Sequence, residues 1–416
     1  MALAWDGIKS SFGFPSGVAM FTGVVVGLAL PALDNSLNIT VPALTFDSQS
    51  TARGLLETIA ATTTTVAGLS FSVTVVAITL ASSQLSPTVL RSFRSDRLSQ
   101  ITLAVFLGTF VYSLTLLVRL GVSGEYADPP NLSMTLAVLL AFAAFGTFAA
   151  FIAHILRMLQ PSSVIASIHD DGVEATAELY PSGPGEPESA ERAALLAASA
   201  MDGARVVEVR AEKNGYLTVV DTGSLIEAAV ESGAIIRQCA PIGAYVVPGQ
   251  VIAEAGIEPG AAEDGDDASA DELAAAVDSA FLLGQLRTLV QDIAFPVRQL
   301  ADIALKGLSP GINDPTTAEN AIDAMGSFLV EFVSCDRPCP VRVDEAGEPR
   351  LIALASDLDD LIRLGFEQVR ISAATHPTIS GRMLVLLEIV EQACERQGFE
   401  STEIPRQRRL IEPNAR

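Results

Sequence analysis

The sequence predicts an integral membrane α-helical region of four transmembrane helices, followed by an α+β cytoplasmic region. That second part reads as a small β-barrel or sandwich domain and then a helical bundle. Three observations carry the prediction. The stretch IAATTTTVAGLSFSVTVVAITLASSQ from Ile59 holds no charge, is long enough to cross a bilayer, and is followed by Arg91, Arg94 and Arg97. Three further apolar runs lie in residues 1–160. The charge is divided: residues 1–160 carry seven acids and seven bases, whereas 161–416 carry 42 acids and 19 bases, so the net −23 sits wholly in the tail.

The first run, 14–33, is FPSGVAMFTGVVVGLALPAL. Its length and its single preceding base, Lys9, favour an uncleaved span over a secretory signal. Residues 34–56 are mixed and polar and read as an outward loop with a short helix. The second span covers roughly Glu57–Ser83, the third Ile101–Val118 and the fourth Leu132–Ile155, with His154 and Arg157 at its end. Lys9, the three arginines between spans two and three, and Arg157 fall on one side; Arg53 and Arg119 fall on the other. This bias places both termini in the cytoplasm, in a bacterial cytoplasmic membrane.

Residues 161–203 read as a continuation of the fourth helix and a Pro/Gly-rich linker. Residues 204–256 form the β domain, with strands at Val206–Arg210, Tyr216–Val220, Ala234–Cys239, Tyr245–Val247 and Gln250–Glu254 and a helix near Leu225–Glu231. The spacing of Gly243, Pro248, Gly249 and Ile252 is similar to the barrel-sandwich of biotinyl and lipoyl carriers. Lys213 is the one lysine in this region and lacks the carrier context, so no cofactor is expected. Residues 257–272 form an acidic linker without the oxygen spacing of a cation loop.

Residues 273–416 read as helical. Phe281–Lys306 is expected to be one helix kinked at Pro296. Gly311 is placed to end it, and Asp314 and Pro315 to start the next. Residues 319–333 continue that helix, further helices cover Asp357–Ile371 and Ile379–Glu395, and then comes a basic polar tail with Arg406, Arg408 and Arg409.

Several of these stretches are similar to one bacterial family. They are GLSFSVTVVAITLASSQLSPTVLRSFRSDRLSQ with VFLGTFVYSL, FIAHI, QDIAFPVRQLADIALKGLSPGINDPTTAENAID, and DLIRLGFEQVRISAATHPTISGRML. Together they resemble the predicted membrane proteins grouped as domain of unknown function twenty-two fifty-four. The resemblance implies the layout of four spans, a β domain and a helical domain. It implies no catalytic residues, and the acidic linker departs from its pattern.

Candidate residues follow from chemistry. Thr65, Ser72 and Thr79 are seven apart and share a helix face, which Ser83 extends. They either line a path for ions or pack against another helix. Thr63, Ser70 and Thr74 make a second row. No span has a central ionisable residue, which disfavours a coupled pump. His154 reads as an interfacial histidine or a proton-sensing gate. Arg287, Asp292, Arg298 and Asp302 form a charged pocket, a subunit interface or helix-holding ion pairs. Asn313 and Asp314 form either an anion site or a helix cap.

Cys239, Cys335, Cys339 and Cys394 stand without enough neighbouring ligands for zinc, so no metal is expected. No enzyme fingerprint is present, and none of the three histidines belongs to a recognisable triad. The acidic tail argues against nucleic acid as a partner. The expected function is a homo-oligomeric ion channel or passive transporter in the lipid bilayer with an acidic assembly domain. The alternative is a non-conducting scaffold or sensor binding a partner or small ligand.

Overall fold

A computed structural model describes residues 13–37, 48–84, 97–122, 129–179, 201, 204–257, 267–335 and 340–415, with residues 35–37, 81–84, 121–122, 158 and 267–269 described by backbone alone. The chain divides into two compact units, Met1–Val164 and Ile165–Arg416.

The first unit holds four helices long and apolar enough to span a membrane. They are α1 (Gly13–Leu37), α2 (Gln49–Gln84), α3 (Arg97–Val122) and α4 (Asn131–Met158). Helix α2 starts at Gln49, so residues expected in a loop lengthen it by two turns. Arg53 ties that extension to α3: its guanidinium donates to the carbonyl of Leu120 in the last turn of that helix. Lys9, Arg91 and Arg94 lie outside the described residues.

Helix α3 is the centre of the unit, packing on each of the other three. Its approach to α1 depends on glycine. A Cβ on Gly23 would stand 2.8 Å from the Gly108 carbonyl, and one on Gly27 would stand 2.9 Å from Thr115. Small residues four apart let two helix backbones meet closely where lipid gives no hydrophobic drive. Gly23→Ala is therefore expected to lower the thermal unfolding temperature in detergent, by about 1–3 kcal/mol of stability. Gly17→Ala, with open space around it, should not.

At one end of the bundle a carboxylate ties two spans together. Pro130 precedes α4 and offers it no side-chain cap. Asp34 of α1, itself buried, accepts instead from the Ser133 amide at 3.1 Å and its hydroxyl at 3.4 Å. The Tyr112 hydroxyl donates to the Ser133 carbonyl at 2.9 Å, fixing the same turn from α3. This puts a negative group at the positive end of α4.

The second unit begins in α5 (Pro161–Leu179), which Pro161 starts as a separate helix after a break at Gln160. The β region is β1 (Arg205–Arg210), β2 (Gly215–Val220), α6 (Thr222–Ser232), β3 (Ala234–Gln238), β4 (Tyr245–Val246) and β5 (Val251–Ile257), close to the expected positions. Next come α7 (Asp267–Ser279) and β6 (Phe281–Gly284). The helices α8 (Ala294–Gly307) and α9 (Pro315–Ser334) precede β7 (Val341–Val343) and β8 (Pro349–Ile352). The chain ends in α10 (Leu358–Ser372), α11 (Pro377–Arg396) and α12 (Glu403–Ile411).

Among the described residues the strands form two open sheets, in the order β1-β5-β3-β8-β7 and β4-β2-β6, and neither closes into a barrel. β3 and β8 run parallel, Ile236 facing Leu351; the other pairs are antiparallel. β6, β7 and β8 come from the stretch read as purely helical. Leu217, Leu225, Ile236, Val246, Ile252 and Leu351 share the buried core between them.

The single helix expected over Phe281–Lys306 is likewise replaced. Phe281–Gly284 pairs with β2, and α8 begins only at Ala294, so Pro296 sits in a first turn where its missing N–H is not needed. Residues 267–272, read as linker, belong to α7; 258–266 lie outside the described residues. The basic tail is helix α12. Glu403 and Gln407 are buried, and Arg406 pairs with Glu367 at 3.0 Å and also with Glu403.

Candidate functional site

The face of α2 that carries Thr65, Ser72 and Thr79 is exposed on the first unit. A helix turns about 100° per residue, so Gly54, Thr58, Ala61, Gly68, Leu69 and Val76 share that face, and all of them are exposed as well. The opposite face packs: Thr63 and Ser70 are buried, along with Ala52, Leu56, Ala67 and Ala77. The row formed by Thr63 and Ser70 is therefore the helix-packing one, and the row starting at Thr65 is not used inside the bundle. Ser83 continues the helix, but its side chain lies outside the described residues.

Each hydroxyl of the exposed row donates to the carbonyl one turn back. Thr65 reaches Ala61 at 2.9 Å, Ser72 reaches Gly68 at 3.0 Å and Thr79 reaches Val75 at 2.8 Å. That bond satisfies the one donor proton and leaves oxygen lone pairs directed away from the bundle. The face thus carries hydroxyl acceptors once every two turns over about 32 Å of helix between Thr58 and Thr79, with Leu69 and Val76 between them.

In the second unit, Arg287 and Asp292 form a bidentate pair at 2.8 and 2.9 Å, with Asp292 only 2 % exposed. The Arg287 guanidinium also lies 5.4 Å from the Phe295 ring centre. Gly243 makes room for the pair: its φ is +82°, and a Cβ there would collide with both side chains. Burial pushes the Asp292 carboxyl up, against the pull of Arg287 and of the amides of Ala294 and Phe295. These two residues stand in the turn before α8, not on a helix. Arg298 and Asp302 pair separately along α8 at 2.8 Å. The four charges are two ion pairs, already matched.

Asp314 caps α9. It accepts from the Thr317 amide at 3.1 Å and the Thr317 hydroxyl at 2.6 Å, so the amides that an anion would use are occupied. Helix α8 ends at Gly307 instead of Gly311, because α9 starts too close: a Cβ on Gly307 would stand 2.9 Å from the Asp314 carbonyl. Asn313, at φ +49°, takes the left-handed turn. The Thr317 hydrogen bonds hold the Asp314 carboxyl below the ordinary aspartate value of 3.8. A depressed acid stabilises above its unfolded pKa and loses that contribution as pH falls through the folded one. Asp314→Ala is expected to cost about 1 kcal/mol at neutral pH, and the gap from wild type should close as the pH falls below 3.8, read by urea unfolding.

Two features were not foreseen. His169 on α5 lies between Asp170, at 3.0 Å, and the Ser327 hydroxyl of α9, at 3.1 Å. The order is that of a hydrolytic triad, but Ser327 sits within α9, where backbone N–H groups serve the helix and none is left to hold an oxyanion. The contact fastens α5 to α9, as does Gly172 packed against Pro296 and Phe328. A cleft of about 250 Å³ is lined by Val220, Gln238, Gln291, Arg342, Leu354 and Ser356. Gln291 there bridges both main-chain groups of Val220, and Gln238 accepts from the Leu354 amide at 3.1 Å. Nothing short of a fold could have brought these residues together. His154 is half-buried near the end of α4. Among the described residues no three His, Cys, Asp or Glu side chains gather as metal ligands.

The sequence profile of the predicted membrane proteins DUF2254 matches residues 9–388. The chain belongs to this family. It is 31 % identical over 384 residues to an uncharacterised protein of Mycobacterium bovis and to one of Mycobacterium tuberculosis H37Rv, covering 89 % of this chain and 71 % of each relative. A protein of a second M. tuberculosis strain, CDC 1551, matches over the same span. No solved structure matches. The stretch of this DUF2254 protein that these bacterial relatives match takes in most of the four candidate spans and of the α+β region that follows.

Proposed function

We propose that this protein is a homo-oligomeric channel or passive transporter of the bacterial cytoplasmic membrane, with α2 of several subunits surrounding the path. One observation carries the reading. The exposed face of α2 carries Gly54, Thr58, Ala61, Thr65, Gly68, Ser72 and Thr79 interleaved with only two large apolar residues, Leu69 and Val76, while its opposite face satisfies the bundle. A face meant only for lipid gains most from large aliphatic side chains. Small residues and hydroxyl acceptors suit close approach of a second helix and contact with water. Both termini face the cytoplasm, from the bases at Lys9, Arg91, Arg94, Arg97 and Arg157. The acidic second unit is then the assembly domain, and no enzymatic activity is assigned.

The alternative, a non-conducting scaffold or sensor, draws on a different observation: each hydroxyl of the row is satisfied by its own helix and tolerates lipid. Oligomeric state in detergent and conductance in a planar bilayer, measured on one preparation, separate the two. A closed ring with single-channel steps is the expected result. A monomer that conducts nothing overturns the proposal and favours the scaffold.

A further inference from the structure

We infer that the permeating species is a small cation and that Glu57, at one mouth of the path, selects it. This rests on the α2-lined path proposed above and names its substrate class. Glu57 is exposed, eight residues before Thr65, or roughly 12 Å along the axis. At about 100° per residue it flanks the face that carries Thr58, Ala61 and Thr65.

Its neighbours place it near one end of the bundle, within a candidate span. Arg53, one turn nearer the helix start, reaches the Leu120 carbonyl. Leu56 and Ile59 are buried with Tyr112 and Leu116. Glu57 therefore stands level with an apolar layer, inside the last turn of α3. A carboxylate turned toward acyl chains at that level is unfavourable unless water or a cation meets it.

Among the described residues no Lys or Arg pairs with Glu57. Arg53 is four residues away and correctly spaced for a helix pair, yet its guanidinium turns inward to Leu120. The Arg119 guanidinium donates to the Leu28 carbonyl at 3.3 Å. The connecting stretches at this end, 38–47 and 123–128, contain no Lys or Arg in the sequence. Repeated around a ring of subunits, Glu57 makes a negative collar beside a hydroxyl-lined path. Such a collar concentrates cations and repels anions. The tail has the same sign, with 42 acids against 19 bases in residues 161–416.

The test is the reversal potential of full-length protein in a planar bilayer under a KCl gradient, which gives the potassium-to-chloride permeability ratio. The wild type is expected to prefer potassium. Glu57→Gln should lower the ratio by about threefold or more, and Glu57→Asp should keep it. A conducting Glu57→Gln with an unchanged ratio, or a wild type that prefers chloride, overturns the inference and leaves the path itself standing. A wild type that never conducts overturns both. Should Glu57→Gln fail to assemble, Thr58→Lys sets a positive charge beside the carboxylate. A lower ratio there supports the inference, and an unchanged one overturns it.

Discussion

Replacing Asp292 with alanine is expected to destabilise the second unit by about 3–5 kcal/mol, read as a lower urea midpoint of the full chain in detergent. The cost arises because Asp292 is only 2 % exposed and is the bidentate partner of Arg287. Its removal leaves a partly buried guanidinium with its main counter-charge gone. Arg287→Ala strands the carboxylate in the same way, with a distinct pH signature. Burial already pushes the Asp292 carboxyl up, and Arg287 is a force opposing that rise. An acid whose folded pKa is raised binds its proton more readily folded than unfolded, so stability grows as pH falls through that raised value. The Arg287→Ala deficit should therefore shrink on acidification. Arg287→Met combined with Asp292→Leu removes both charges and should cost far less than either alanine variant. A double variant as damaged as the singles would show that these side chains act through something other than their pairing. Gly243→Ala should be damaging too, since it needs φ +82° and intrudes on the pair.

That pair also shows what sequence could and could not reveal. Asp314, Pro315 and the α9 start were legible, because a helix cap is written in four adjacent residues. The four spans were legible, because a membrane needs a long uncharged run. Arg298 and Asp302 stand four apart, a helical spacing visible in the sequence, and they do pair along α8. The site of Arg287 and Asp292 was read on a helix that does not exist. An apolar run such as Phe281–Gly284 fits strand and helix alike, and only its pairing with β2 decides. β8 joins β3 from more than a hundred residues away, and no local pattern announces such a pairing. The cap on α4 has the same character, for its acceptor, Asp34, lies on another span. Period alone gave two hydroxyl rows on α2 without saying which faces the bundle. The residues sharing each face differ without deciding it: Leu56 and Ile59 lie beside Thr63, whereas Gly54, Ala61 and Gly68 lie beside Thr65 together with Leu69 and Val76, and only the packing of the bundle separates them.

Because the two rows are now distinguished, they make an internal control. Thr65→Leu and Ser72→Leu are expected to cut single-channel conductance by about tenfold or more, since a ring of leucines makes a constriction that excludes water. Folding should be intact, because neither side chain is packed inside the unit. Thr63→Leu and Ser70→Leu should do the reverse. Both sites are buried, at 2 % and 4 % exposure, and the extra volume should cost about 1–3 kcal/mol. Those variants should show less assembled protein but wild-type steps in whatever survives. Chromatography in detergent reports assembly and planar bilayers report steps, so the two effects are read apart. Under a scaffold reading, all four substitutions would leave conductance at zero, and only the buried pair would matter. A path elsewhere in the bundle would instead leave Thr65→Leu and Ser72→Leu conducting like the wild type. The exposed row is therefore functional only if substitutions that spare the fold abolish the current.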